Sequence, residues 1–257
     1  SMHRTAAAAV LLILSVALMA ASVKIPAFAE WYSETIYPFL VNTAGRIMGT
    51  APFSVAELCL YLLLAALAVS IVYCAGKIVK GAKAGNVLFS WFSGVILAVG
   101  ILAFLYTAGC GINYHRRSFS AEEGIVTSSY SSEELNQVCI WLTAEVNAAC
   151  EEVSRDDAGV MILDGPEGEG AVAAMDKLSE TFPSLEGYYP QPKKLILSEF
   201  LSYQGLTGIY SPFTVEANYN GDMIPYNIPF TTCHELSHLR GFMEEREANF
   251  IAFLACI

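Results

Sequence analysis

The stretch TTCHELSHLRGFMEEREANF, residues 231–250, decides how the whole chain is interpreted. Within it, residues 234–238 spell HELSH, an H-E-x-x-H motif that on a helix places two imidazoles one turn apart on one face. Imidazole is a good neutral ligand for Zn²⁺, and a catalytic zinc takes three protein ligands and keeps a fourth position for water. The motif therefore predicts a zinc site with His234 and His238 as ligands and Glu235 as general base.

The third ligand has to come from another residue type, because the remaining histidines, His3 and His115, lie at the N-terminus and beside a hydrophobic segment. An unbroken helix would carry the carboxylates that follow the motif roughly 9 to 20 Å away along its axis. We therefore expect the chain to double back at Gly241, since glycine accepts the left-handed conformation that closes helices. The alternative is a chance motif on a surface helix with solvated glutamates. The candidate third ligands are Glu244, Glu245 and Glu247.

Residues 245–249, EREAN, resemble the E-x-x-A-N/D segment that follows H-E-x-x-H in gluzincin-type zinc peptidases, including the ImmA/IrrE-type and membrane-bound Ste24/HtpX-type families. The resemblance implies that Glu245 is the third ligand. Asn249 would then lie one turn later on the same helix face and orient a histidine ligand. Only six residues separate His238 from Glu245, fewer than in most gluzincins. In the metzincin pattern H-E-x-x-H-x-x-G-x-x-H, the position of the third ligand falls on Glu244 instead.

A broader resemblance covers most of the chain. It rests on GINYHRR at residues 111–117, GIYSPFTVEAN at 208–218 and PFTTCHE at 229–235. These stretches resemble a domain-of-unknown-function family of bacterial multi-pass membrane proteins. The resemblance implies a membrane zinc metallopeptidase and offers no substrate.

The composition indicates a chain that is part membrane-embedded and part globular, with 54% hydrophobic residues, 15% charged residues and a mean hydropathy of +0.46. Three apolar runs reach the length of about 20 residues that a membrane helix needs. They predict a membrane region at residues 1–112 with helices at about 5–23, 53–75 and 87–108. The first run also fits a cleaved signal peptide, because Arg4 precedes it and an A-x-A pattern follows it.

The distribution of charge predicts the orientation. Lys77, Lys80 and Lys83 occupy the short loop between the second and third runs, and basic short loops stay in the cytoplasm. Residues 113–257 should then form an extracytoplasmic domain of a multi-pass protein of the cell membrane. Residues 109–257 contain eight Lys/Arg and twenty-two acidic residues. Binding to nucleic acid needs a basic patch, so we expect no nucleic-acid partner.

We expect residues 113–257 to form an α+β zincin-like domain with a small sheet and the motif helix. The sequence predicts a helix from a Ser131 cap to about residue 153 that covers the domain, a loop at 164–170, and strands at 194–198 and within 208–219. An edge strand before the motif helix would hold substrate by strand addition. The chain ends inside a predicted helix, so we expect a truncation after Ile257. Candidate residues of the substrate cleft are Glu216, Asn218 and Tyr226.

The function that these features predict is peptide hydrolysis by a membrane-anchored zinc metallopeptidase acting on a peptide or protein. Glu235 would take a proton from the attacking water and return it to the leaving amine. The alternative is a non-catalytic membrane sensor or scaffold whose zinc site only holds the domain together. Under that alternative, function would not depend on Glu235.

Overall fold

A computed structural model describes residues 2–163, 165 and 168–257. Of the predicted loop at 164–170, Asp164, Pro166 and Glu167 lie outside the described residues. The α-helices are α1 (Met2–Lys24), α2 (Pro26–Trp31), α3 (Tyr37–Leu40), α4 (Arg46–Gly49), α5 (Val55–Val79), α6 (Ala84–Tyr106), α7 (Phe119–Glu122), α8 (Ser132–Glu152), α9 (Glu169–Ser179), α10 (Ser198–Tyr203), α11 (Asn227–Leu239) and α12 (Glu245–Cys256). The strands are β1 (Lys193–Lys194), β2 (Gly208–Ser211) and β3 (Glu216–Tyr219).

Three of these helices, α1, α5 and α6, are long and apolar enough to cross a membrane. Their bounds lie within four residues of the predicted ones. A helix of 23 residues, such as α1 or α6, is roughly 35 Å long and exceeds the bilayer's hydrocarbon core of about 30 Å. α1 packs closely along α6, because a Cβ at Gly100 would lie only 3.2 Å from the backbone oxygen of Ala8.

The apolar helix that contains α6 continues past Tyr106 as a π-helical segment (Thr107–Gly111) and a 3-10 turn (Ile112–His115). The unbroken apolar stretch from Ala84 to His115 measures 32 residues, which is longer than a bilayer requires. The far end of this helix therefore enters the following domain as a rigid extension.

The domain that follows is helical with a small mixed sheet in the order β1-β3-β2. β2 runs antiparallel to β3 and β1 runs parallel to it, so β3 is central and β2 is an edge strand. The strand predicted at 194–198 is wrong beyond Lys194. The N–H of Leu195 still donates to the carbonyl of Tyr219 in β3, but those of Ile196 and Leu197 donate to the carboxylate of Glu57 instead of to a sheet.

The core of the domain lies between the sheet and helices α9, α11 and α12. Phe119 is fully buried at its centre and meets three other aromatic rings edge to face. Such contacts add to the apolar area that the rings bury. The largest buried apolar side chains around Phe119 are those of Phe242, Met175, Leu185, Leu236, Leu239 and Ile251.

Helix α8 forms where the sequence predicts it but does not cover the domain as predicted. Its N-terminus has a capping box between Ser131 and Glu134. All of its residues are solvent-exposed, among them Leu135, Val138 and Leu142, which share the apolar side of the helix. Cap and helical spacing determine that a segment is helical, and they leave open which element, if any, packs against its apolar side.

A buried ion pair joins the domain to the start of α5. Glu216, in the central strand, pairs with Lys193 and accepts the N–H groups of Val55 and Ala56 at 3.1 and 2.8 Å. Lys193 in turn donates to the carbonyl of Met48 at 2.6 Å. The carboxylate thus satisfies two N–H groups that have no partner within the helix and also complements the helix dipole.

We predict that Glu216→Gln destabilises the protein by about 3–5 kcal/mol, because it leaves the Lys193 ammonium buried without its counter-charge. Unfolding by denaturant in detergent micelles measures the loss. The matched control is Glu34→Gln, which removes an exposed carboxylate 3.7 Å from Arg117 and should leave the unfolding midpoint unchanged. Equal midpoints for the wild type and Glu216→Gln would contradict this assignment.

Candidate metal centre

A sharp turn at Gly241 returns the chain to the motif helix. α11 ends at Leu239, and Gly241 adopts φ +99° while its N–H donates to the carbonyl of His238 at 2.9 Å. The N–H of Phe242 donates to the carbonyl of Ser237 at 3.2 Å, which completes a left-handed glycine cap. A Cβ at Gly241 would also lie 3.0 Å from the guanidinium of Arg116. After the turn, α12 packs against α11.

This turn brings one glutamate to the two histidines. His234 Nε2 lies 3.2 Å from Glu245 Oε2, and His238 Nε2 lies 3.6 Å from Glu245 Oε1. The three ligand atoms all lie within 4.8 Å of one another. Two ligands on a tetrahedral zinc, with bonds of about 2.0–2.1 Å, stand about 3.4 Å apart. The spacing of the donors therefore fits one zinc ion bound by His234, His238 and Glu245.

Both imidazoles are in the state that a metal requires. His238 Nδ1 lies 2.8 Å from the carbonyl oxygen of Phe242, so Nδ1–H donates and Nε2 keeps its lone pair. Burial lowers the pKa of His238, and the neighbouring His234 lowers it further. Burial also lowers the pKa of His234, although Glu245 and Asn249 act in the opposite direction. At neutral pH both rings are uncharged and need not lose a proton to bind a metal.

The other two candidate ligands point elsewhere. Glu244 forms an exposed ion pair with Arg246 at 2.7 Å. Glu247 accepts the backbone N–H of Ser120 at 3.1 Å, on the side of α12 that faces the domain. Glu245 is 75% exposed, which leaves its carboxylate free to turn toward an ion.

Glu235 lies against the edge strand rather than in the ligand group. Its pKa is raised to about 8, chiefly by burial and also by the charge of Glu245, while the backbone N–H of Tyr210 acts in the opposite direction. A Cβ at Gly208 would lie 2.6 Å from Glu235 Oε1, so only glycine lets β2 approach so closely. The Glu235 carboxyl can therefore hold or release a proton near neutral pH beside an extended backbone.

A cleft of about 340 Å³ opens between the metal ligands and β2. Two of its lining residues, Cys110 and Tyr114, come from the end of the long apolar helix. No local pattern identifies Tyr114 as a site residue, because it precedes the motif by 120 positions in the sequence, although it lies within the 111–117 stretch. The described lining residues are Cys110, Tyr114, Gly205, Leu206, Thr207, Gly208, Ile209, Tyr210, His234, Glu235, His238, Met243 and Glu245.

The three predicted cleft residues are not among this described lining. Glu216 and Asn218 belong to the central strand β3, where Glu216 is buried in its ion pair and the Asn218 amide donates to the carbonyls of Ile209 and Glu216 at 3.3 Å. Tyr226 is 56% exposed and immediately precedes α11. It stands roughly 12 Å along the helix axis from His234. An edge strand adjoins the cleft, and it is β2 rather than β3.

Asn249 lies four residues after Glu245 on α12 and acts to raise the pKa of His234, but His234 Nδ1 is buried without a hydrogen-bond partner among the described residues. Cys233, next to His234 in sequence, is buried and interacts with Cys256 rather than with the ligand group. The group on α11 and α12 that could hold a metal thus consists, among the described residues, of two imidazoles and one carboxylate.

The comparisons with known proteins give one finding. The model of a family described as "Protein of unknown function (DUF3810)" matches residues 32–257. No curated protein matches the chain, and no solved structure matches it.

We predict that Glu245→Gln lowers zinc affinity by at least tenfold, because it replaces an anionic ligand by a neutral amide. Titration of the metal-free protein with zinc in competition with a chelator measures the change. The matched controls are Glu244→Gln and Glu247→Gln, which should bind zinc as the wild type does. Loss of the metal from Glu244→Gln alone would show that the turn after Gly241 presents a different residue.

Proposed function

We propose that this chain, which belongs to the DUF3810 family of proteins of unknown function, is a membrane-anchored zinc metallopeptidase. One observation carries the proposal. His234, His238 and Glu245 converge at ligand distance while the carboxyl of Glu235 lies beside an edge strand. The metal, the carboxyl that carries the proton and the strand that can pair with a peptide would then lie next to one another.

The donor set favours a catalytic over a structural zinc. Structural zinc sites are closed by four protein ligands, mostly thiolates, whereas two histidines and one glutamate form a common catalytic set. When bound, zinc supplies a Lewis acid and lowers the pKa of a coordinated water to about 7.

The chain's own residues would perform the remaining steps. Ionised Glu235 would accept the proton of the attacking water and deliver it to the leaving amine. Its raised pKa suits this role, because a carboxyl with a pKa near the working pH both takes and gives a proton. Tyr114, which also lines the cleft, is our candidate donor to the developing negative charge on the substrate oxygen.

Substrate would bind along β2. Its outer edge lies at the cleft, and apart from the N–H of Tyr210, which Glu235 accepts, the N–H and C=O groups of an edge strand can pair with an extended peptide. A peptide held there would pass within reach of Glu235, since Gly208 lies directly against that carboxyl.

A different class of function is favoured by the junction between α5 and the domain. Glu57 and Glu216 bind the backbones of the two parts together, so a movement of α5 would reach the sheet beside the zinc ligands. A sensor or scaffold with a structural zinc would use this coupling and would not need Glu235.

We further propose that the domain is extracytoplasmic. The support is the position of Lys77, Lys80 and Lys83 between α5 and α6, since short basic loops remain in the cytoplasm. Protease added to spheroplasts should cut within α8 and its flanks and spare the lysine loop. Protection of α8 until the membrane is broken would reverse the orientation.

The proposed activity predicts that Glu235→Gln keeps zinc and loses hydrolysis of a randomised quenched-fluorescent peptide library by about 10²–10⁴-fold, the usual contribution of a general acid–base group. The matched control is Glu247→Gln, a nearby glutamate outside the ligand set. Zinc content and hydrolysis are measured on the same samples in micelles. A zinc-loaded wild type no faster than Glu235→Gln would favour the scaffold.

A further inference from the structure

A second, apolar cavity lies next to the cleft. It is a groove of about 760 Å³ between α1 and α6, open on the side that faces lipid if these helices span a membrane. Nearly all of its surface is apolar, as a site for hydrocarbon side chains requires. The described residues that line it are Ser15, Val16, Met19, Ala20, Val23, Lys24, Val99, Leu102, Ala103, Tyr106, Thr107 and Phe213.

The first wall common to groove and cleft is the extended α6 helix. Tyr106 lines the groove, Cys110 lines the cleft one turn later, and Tyr114 lines it after a further turn. At about 1.5 Å per residue, these positions lie roughly 6 and 12 Å beyond Tyr106.

The second common wall is the β2–β3 hairpin. Ile209 and Tyr210 line the cleft, and Phe213, at the hairpin tip, lines the groove with 45% of its surface exposed. The hairpin is fixed to the helix, because the Tyr210 hydroxyl donates to the carbonyl of Gly109 at 3.0 Å. A Cβ at Gly109 would overlap the carbonyl oxygen of Pro212. Both elements therefore carry residues that line the cleft and residues that line the apolar groove.

We infer that the substrate of the proposed peptidase is a polypeptide anchored in the membrane by an apolar segment. The apolar segment occupies the groove between α1 and α6, and the chain emerging from it lies along β2 past Glu235. The inference rests on the proposed function and specifies its substrate class. The two elements shared by groove and cleft favour this occupant over a lipid tail, which would have no reason to extend to the metal.

The geometry also determines where the chain is cut. A distance of roughly 6–12 Å corresponds to two to four extended residues at about 3.3 Å each. The scissile bond should therefore lie about two to four residues beyond the apolar segment. A shorter spacer cannot reach Glu235, whereas a longer one reaches it at a small entropic cost, about threefold in rate for each doubling of length.

The test uses the full chain in phosphatidylcholine proteoliposomes with zinc. Each probe carries a 20-residue Leu/Ala helix, then a Gly-Ser spacer of zero, three, six or twelve residues, then a randomised dipeptide between a fluorophore and a quencher, so that only the bond within the dipeptide is read. A fifth probe has no helix. We expect the rate to peak at the three-residue spacer, at least tenfold above the spacer-free probe, and to fall slowly for longer spacers.

A substitution that fills the groove tests whether cleavage depends on the groove itself or only on attachment of the probe to the bilayer. Ala20→Trp places an indole in the groove and should lower cleavage of the three-residue probe at least tenfold, with the helix-free probe cut at the wild-type rate. That unchanged rate also shows that the variant is folded. The control is Ala17→Trp, an exposed residue of α1 outside the described lining, which should leave both rates unchanged.

The possible outcomes test this inference separately from the proposed function on which it rests. Equal rates for all five probes would leave the peptidase standing and overturn the membrane-anchored substrate. An Ala20→Trp variant that cuts the anchored probes normally would show that the groove holds lipid only, and would overturn the inference likewise. No cleavage of any probe by zinc-loaded protein would overturn the proposed function and the inference together.

Discussion

The constraint on which the site depends is that a carboxylate must come within about 3.4 Å of two imidazoles that are fixed one turn apart on a helix. The helix itself cannot supply it, because each further residue moves 1.5 Å along the axis. Gly241 adopts a positive φ, which ends α11 and turns the chain back toward it. The core residues that α11 and α12 bury together hold the returning helix in place. The same turn presents the Phe242 carbonyl to His238, so one backbone feature positions the glutamate and selects the tautomer of a histidine.

Three glutamates are buried to a similar extent, and their roles differ because their carboxyl groups have different hydrogen-bond and ion-pair partners. Glu216 has two backbone N–H groups and a lysine, and Glu57 has two backbone N–H groups and the hydroxyl of Tyr61. Both join α5 to the sheet and its neighbouring backbone. Glu235 is buried to a similar extent but has the single N–H of Tyr210 as a described hydrogen-bond partner, and its pKa rises to about 8. The same chemical group is thus structural at two positions and able to carry a proton at the third.

Much of this arrangement could be predicted from local patterns. The three apolar helices, the capped helix after Ser131 and the chain reversal at Gly241 follow from periodicity and residue type, and each lies where the sequence predicts it. The candidate for the third ligand was left open among neighbouring glutamates, because adjacent helix positions differ by about 100° in direction and only the turn geometry brings Glu245 beside the two histidines.

What the sequence did not reveal depends on contacts between distant segments. Glu216 was predicted in the cleft, but in β3 it lies in the central strand and binds the start of α5. Tyr114 was missed because it reaches the cleft from the end of an apolar helix. Helix α8 was expected to cover the domain, yet an amphipathic pattern does not specify its partner. These features share one cause, since no periodicity within a segment records which other segment it meets.

The central claim is that one zinc ion is bound by two imidazoles and a carboxylate. X-ray absorption at the zinc edge on the zinc-loaded protein tests it most directly, because nitrogen or oxygen ligands lie at about 2.0–2.2 Å and sulfur ligands at about 2.3 Å. The account predicts a first shell of nitrogen and oxygen alone, with the outer-ring scattering of two imidazoles. A sulfur in the first shell, or only one imidazole, would contradict it.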